Sequence, residues 1–292
     1  MNNITNSILN IAYGTLNNRI NILYSPSSRL FDNIINDIDE INLFFDGDEV
    51  SDYYYDCYFS NNFLLHTNQT KKLSNQSHLK DIIGFHSPPP SNFKKEDLAL
   101  LQNNTQNIHK IFFSEHVLQS WGYPRDNKTK LINYGIPITE QSITRHKNVL
   151  IFNLENNPQI ESLYNTISSH IPNTDIVKTI NPNIPINSVG EFLSQYKVCL
   201  DFGNIVNTIF AMSCGVECIS PITNDQDNPL MHSVRDFNDI LTLLTNILSN
   251  NTDNQIRQEG SKLIYSKYDY DTFKNNMVEY ITNLKKNEIF LL

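Results

Sequence analysis

The sequence predicts an α/β protein made of two successive parallel-sheet domains, and three observations carry that prediction. Short apolar runs alternate with segments of helical periodicity along most of the 292 residues. A polar, aperiodic stretch at 139–147 divides them into two series. Within the second series, residues 198–221 read as one complete strand–loop–helix–strand step, the building unit of an open parallel sheet.

Taken in order, the first series has apolar runs at 8–13, 20–24 and 41–45, each bounded by breakers. Between the last two, Leu30, Ile34, Ile35 and Ile38 mark a short amphipathic helix, capped from Ser27 or Ser28. The acidic segment 46–49 reads as a solvated turn, with too few carboxylates at defined spacing for a metal. The aromatic run 53–59 suits a strand that fills a core, and would equally suit stacking on a sugar. Residues 81–86 form a strand ending at His86, ahead of a proline-rich stretch that forbids helix and sheet alike. A helix over 95–101, a strand over 108–113 and a helix bearing Val117, Leu118 and Trp121 follow, the last stopped at Gly122. The segment 130–137 is a strand running into a Gly/Pro turn.

The second series restarts with a strand at 148–152, a helix at 158–171, a strand at 175–179 and a short helix at 189–196. Then comes the central step. Val198 to Leu200 is apolar, Asp201, Gly203 and Asn204 break the run, and Ile205, Ile209 and Met212 recur at helical spacing up to Gly215. Asp236 caps a helix carrying Phe237, Ile240, Leu241, Leu244 and Leu248, and Phe273, Met277, Ile281 and Leu284 mark a last one. The periodicity therefore supports two Rossmann-like halves. Residues 1–140 form the first, with the helix at 273–292 packing back on it, and 141–272 the second.

In such sheets ligands bind beyond the carboxyl ends of the strands, and free N–H groups opening a helix favour a phosphate. The loop 201–207 lies at such a place, although its residues suit an ordinary βα turn as well. His86 holds a comparable position at a strand end, suited either to an active site or to a partly buried ring making one hydrogen bond.

The composition narrows the partners. A hydrophobic fraction of 39% supports a globular core, and a formal charge of −9 argues against nucleic acid, whose phosphates demand clustered Lys and Arg. The Asn excess suits an AT-rich genome, of a large DNA virus or a low-GC microbe. No signal peptide or membrane-spanning run is visible, so the expected location is the cytoplasm, the host's if the source is viral. Cys199 and Cys218 fall in strands and read as core thiols. The Cys214/Cys218 spacing lacks the further ligands of a zinc set, so no metal is assigned.

Three segments bear a family resemblance. AMSCGVECIS at 211–220 resembles the EAMACGxPVI helix–turn–strand of the family-4-type, nucleotide-sugar-dependent retaining glycosyltransferases of the GT-B class. FFSE at 112–115, with GYP at 122–124 and LINYGIP at 131–137, is similar to the stretch that closes that family's N-terminal domain. QEGSKLI at 258–264 and YDYDTF at 268–273 resemble its closing helices. The resemblance implies two Rossmann-like domains with parallel sheets facing across a cleft, and sugar transfer from a nucleotide-sugar to an acceptor hydroxyl of a glycan, protein or small molecule. It also implies retention, with no cofactor and no obligatory metal.

The departures are specific. The family's E-x7-E glutamates would fall at Phe202 and Phe210, and the basic pair after the first strand of the C-terminal domain is replaced by NLENN at 153–157. The glycine-rich N-terminal loop is degenerate at Tyr13-Gly14-Thr15. Breaking the donor bond leaves negative charge on the departing nucleotide, and positive or N–H-rich groups must stabilise it. With the basic pair gone, the candidates are the helix start at 203–208 and Arg125, Lys128, Lys130 or Arg145. Donor contacts are expected from Gly203, Asn204, Asn207, Thr208, Asn153 and Ser114. His86 resembles the family histidine that faces the transferred sugar and is the expected catalytic residue. The competing expectation is a non-catalytic relative that binds a sugar nucleotide or a partner glycosyltransferase.

Overall fold

A computed structural model describes residues 19–25, 30–45, 56–60, 80–86, 89, 93–138, 144–153, 156–178, 181, 183–202, 205–221, 227–234, 236–250 and 252–286. The runs at 8–13, 46–49 and 53–55, the Tyr13-Gly14-Thr15 segment, and Gly203 and Asn204 lie outside them. The described chain divides into two compact units. One draws on residues within 1–27, 38–134 and 271–292, the other on 28–37 and 135–270.

In the first unit the described strands are β1 (Ile20–Ser25), β2 (Ile41–Phe45), β3 (Cys57–Ser60), β4 (Lys80–Phe85), β5 (His109–Phe112) and β6 (Thr129–Leu131). They pair in parallel in the order β2-β1-β3-β4-β5-β6. Helix α1 (Leu30–Asn36) lies between β1 and β2 in sequence and groups with the second unit. Helices α2 (Lys95–Asn104) and α3 (Glu115–Trp121) follow β4 and β5. Gly122 ends α3 in the left-handed region at φ 65°, where a glycine carries no Cβ penalty. Phe85, Phe112, Trp121 and Tyr123 pack into one aromatic core, with Phe85 stacked on Phe112 at 4.6 Å.

The second unit contains β7 (Lys147–Phe152), α4 (Pro158–His170), β8 (Thr174–Val177), α5 (Ile186–Leu193), β9 (Tyr196–Leu200), α6 (Ile205–Ser213) and β10 (Glu217–Ser220). They are followed by β11 (Met231–Ser233), a short 3-10 turn at Phe237–Asp239, α7 (Ile240–Asn250) and α8 (Asn254–Lys267). Helix α9 (Tyr270–Lys286) then returns the chain to the first unit. The strands are parallel in the order β11-β10-β9-β7-β8. Val149 to Phe152 and Val198 to Leu200 are buried throughout, as strands covered on both faces must be.

Asp236 caps the 3-10 turn at Phe237–Asp239, and the α-helix expected from there starts only at Ile240. Two further elements differ from the sequence reading. Residues 189–196 are not one helix: α5 starts at Ile186 and ends at Leu193, and Tyr196 already belongs to β9. Arg145 explains the break, because its guanidinium donates to the carbonyls of Ser194 and Tyr196 at 2.7 and 3.0 Å and holds that turn out of the helix. The second difference is β11, which is short and half-exposed and carries no apolar run to announce it.

Candidate functional site

Both sheets reverse direction of growth at one point. In the second unit β7 lies between β8 and β9, so the crevice beyond the carboxyl ends of β7 and β9 is the topological switch point where open α/β sheets take ligands. Ile151 and Leu200 are register partners there, which brings the residues just beyond them, Asn153 and Phe202, to the same edge.

Asn153 is 1% exposed and shapes its own loop. Its Oδ1 accepts from Asn157 N at 2.7 Å, its Nδ2 donates to Asn157 O, and its backbone N–H donates to Val177 O. Asn157 in turn caps α4 by accepting from Gln159 N. The polar groups of Asn153 therefore tie the end of β7 to the start of α4.

Helix α6 is buried from Val206 to Ser213, with Ile205 at its start half-buried. Asn207 and Thr208 sit in its first turn, and Asn207 Oδ1 and Thr208 Oγ1 are buried without a hydrogen-bond partner among the described residues. An unpaired buried polar atom costs on the order of 1–3 kcal/mol, so a pair of them beside the first-turn amides marks a place that lacks a partner. Phe202 packs on the apolar cluster of this unit, and Phe210 is fully buried, so neither aromatic replaces a glutamate's hydrogen bonds.

In the first unit His86 and Ser114 follow the paired strands β4 and β5, with Phe113 N donating to Phe85 O between them. His86 is 5% exposed; its ring stacks on Phe113 at 4.5 Å, and its Nδ1 shares a hydrogen bond with Tyr134 OH at 2.9 Å. Ser114 Oγ accepts from Val117 N as the N-cap of α3. The structure thus brings His86 to Ser114 in one unit, and Asn153 to the α6 start in the other.

Of the basic candidates, Lys130 is exposed on β6 and the other three are engaged elsewhere. Arg125 forms a bidentate pair with Glu115, and Lys128 donates to Asn107. Arg145 does not reach the carboxyl edge at all. It precedes β7, and besides the two carbonyls at the β9 start it donates to Cys214 O at 2.9 Å. Burial, then the nearby Arg257, push its pKa down to about 10. Sequence reading missed Arg257, which donates to Gly215 O and to the buried Glu217. It also missed Asn33 of α1, whose amide holds the carbonyls of Asn181 and Ile184 ahead of α5.

All four cysteines are buried free thiols. Among the described residues no cluster of three or more His, Cys, Asp and Glu could hold a metal, and no helix is long and apolar enough to cross a membrane.

No family model and no curated protein matches this sequence. Solved structures do. Anabaena Alr3699/HepE in complex with UDP-glucose superposes with a TM-score of 0.61 at 11% identity, covering 91% of this chain and 100% of that one. The same protein with UDP and glucose gives 0.59, and with UDP alone 0.55 at 12% identity, with the same coverage. The chain has the two-domain GT-B fold. In GT-B terms, the Asn153 loop and the α6 start occupy the switch point of the C-terminal Rossmann-like unit, and His86 and Ser114 the strand ends of the N-terminal one.

Proposed function

We propose that the chain is a glycosyltransferase that takes a nucleotide-sugar donor in its second unit and transfers the sugar, with retention, to an acceptor hydroxyl. The observation that carries this reading is the unpartnered pair Asn207 Oδ1 and Thr208 Oγ1 in the first turn of α6, at the switch point. Their chemistry divides naturally. An amide oxygen can only accept, which suits a ribose or sugar hydroxyl, while a threonine hydroxyl can donate to a phosphate oxygen. The first-turn amides and the positive end of the helix would stabilise charge on the departing diphosphate, in place of the missing basic pair. Gly203 and Asn204 complete the proposed donor loop, and Asn153 ties the end of β7 to the start of α4 beside it; in the first unit His86 is the proposed catalytic residue, with Ser114 beside it. The acceptor is a glycan, a protein or a small molecule, and no metal takes part.

Titration calorimetry with UDP and UDP-glucose tests the donor assignment. Asn207→Ala and Thr208→Val are expected to weaken binding at least tenfold with melting temperatures held within a few degrees. Unchanged affinity in both variants would remove the α6 start from the site. Donor hydrolysis or transfer unchanged by EDTA checks that no metal is needed.

A second reading, binding without turnover, is favoured by Phe202 and Phe210 standing where the resembled family has glutamates. Saturable nucleotide-sugar binding with no hydrolysis and no transfer across a panel of acceptors would select it.

A further inference from the structure

At the opposite, amino-terminal edge of the second sheet lies a polar pocket of about 590 Å³ whose lining includes Thr144, Arg145, Lys197, Thr252, Asp253 and Arg257. Its volume is that of a small-molecule site. Three of the lining side chains are cations and one, Asp253, is a carboxylate, in a chain that carries 31 acidic against 22 basic residues. A local excess of positive charge runs against that overall balance.

The two arginines have structural partners. Arg257 pairs with Glu217 at 2.8 Å, and Arg145 holds the carbonyls of Ser194, Tyr196 and Cys214. Lys197 is different. It is half-buried at the start of β9, and its ammonium makes no hydrogen bond or ion pair with any described residue. Glu217 is already shared between Arg257 and His232, so it does not neutralise this lysine. The Asp253 carboxylate accepts from Gln255 N as the cap of α8. Burial, and after it the nearby Arg257, lowers the pKa of Arg145, with Glu217 partly opposing them.

We propose that this pocket is a second ligand site, distinct from the switch point, that takes a phosphate-bearing small molecule with its phosphate between Lys197 and Arg145. The phosphate comes from a free anion or from a phosphorylated sugar; the pocket has room beyond the phosphate for the latter. The site does not depend on the transferase reading, because none of its residues lies at the carboxyl edge. Arg145 and Arg257 also hold the carbonyls of Cys214 and Gly215 at the end of α6, so an occupant would bear on the helix whose other end holds Asn207 and Thr208.

The test is a thermal-shift titration of the full chain with inorganic phosphate and with a hexose 6-phosphate at constant ionic strength. It is run on the wild type, Lys197→Ala and Lys197→Glu. Saturable stabilisation is expected, with apparent affinity at least tenfold weaker in Lys197→Ala and lost in Lys197→Glu, and with saturating UDP leaving it in place. Tighter binding of the hexose phosphate assigns a phosphorylated sugar, and equal binding assigns the free anion. No saturable shift with either probe, equal shifts in all three proteins, or displacement by UDP would overturn the proposal.

Discussion

His109 opens β5 with its ring edge-on to Tyr280 of α9, whose hydroxyl lies 3.3 Å from Nδ1. Burial, then the charges of Lys128, Lys80 and Lys110, lower its pKa from 6.5 to about 4. The unfolded chain therefore binds the proton that the folded chain refuses between pH 6.5 and 4, and stability falls as pH drops through that window. Melting curves across it should show a shallower loss for His109→Gln than for the wild type; equal slopes would place the acid sensitivity elsewhere. His86 needs a different substitution, because it is packed as well as polar. His86→Phe keeps the stack on Phe113 and drops the hydrogen bond to Tyr134. If the ring does the proposed chemistry, transfer should fall about 100-fold or more while the melting temperature moves little. Retained transfer would make His86 a core residue.

The helices of the second unit show which parts of the fold a sequence can carry. The step β9–α6–β10 was legible because its strands are apolar runs and its helix repeats at 3.6 residues, both local properties. The boundary at Tyr196 was not, since it is imposed by Arg145 from 49 and 51 residues away. The same distance hid the true place of Arg145: a lone arginine in a polar stretch carries no mark of the carbonyls it will meet. At the candidate site, the helix start could be read from Gly203 and Asn204, but the burial of Asn207 and Thr208 could not, because polar residues at helical spacing look like a solvated face. Arg145→Met should remove a charged donor from three carbonyls and cost about 2–4 kcal/mol in denaturant titrations. Gly260 gives a separate test at this scale. A Cβ there would lie 2.5 Å from Leu230 Cγ, in the middle of α8 where the helix meets the segment before β11. Gly260→Ala is expected to cost about 1–3 kcal/mol by overpacking, despite alanine's better helix propensity; a stabilised variant would show that Leu230 gives way.

At the scale of the whole molecule, α9 is the element that carries the chain back to its first unit. Phe273, Met277, Ile281 and Leu284 are buried at helical spacing, and all belong to the first unit. Met277→Asp should lower the stability of that unit, and hydrogen exchange should report faster exchange in β4 and β5 with α4 and α7 little changed. The route of the chain has a consequence for its biosynthesis. The first unit gathers strands that precede the second unit and a helix that follows it, whereas 135–270 run continuously through the second. A ribosome thus delivers nearly everything the later-encoded lobe requires before it releases the closing helix of the earlier one. The lobe whose strands are made first thus has its whole sheet in place, yet waits until the other lobe has been made before it gains the apolar face of α9.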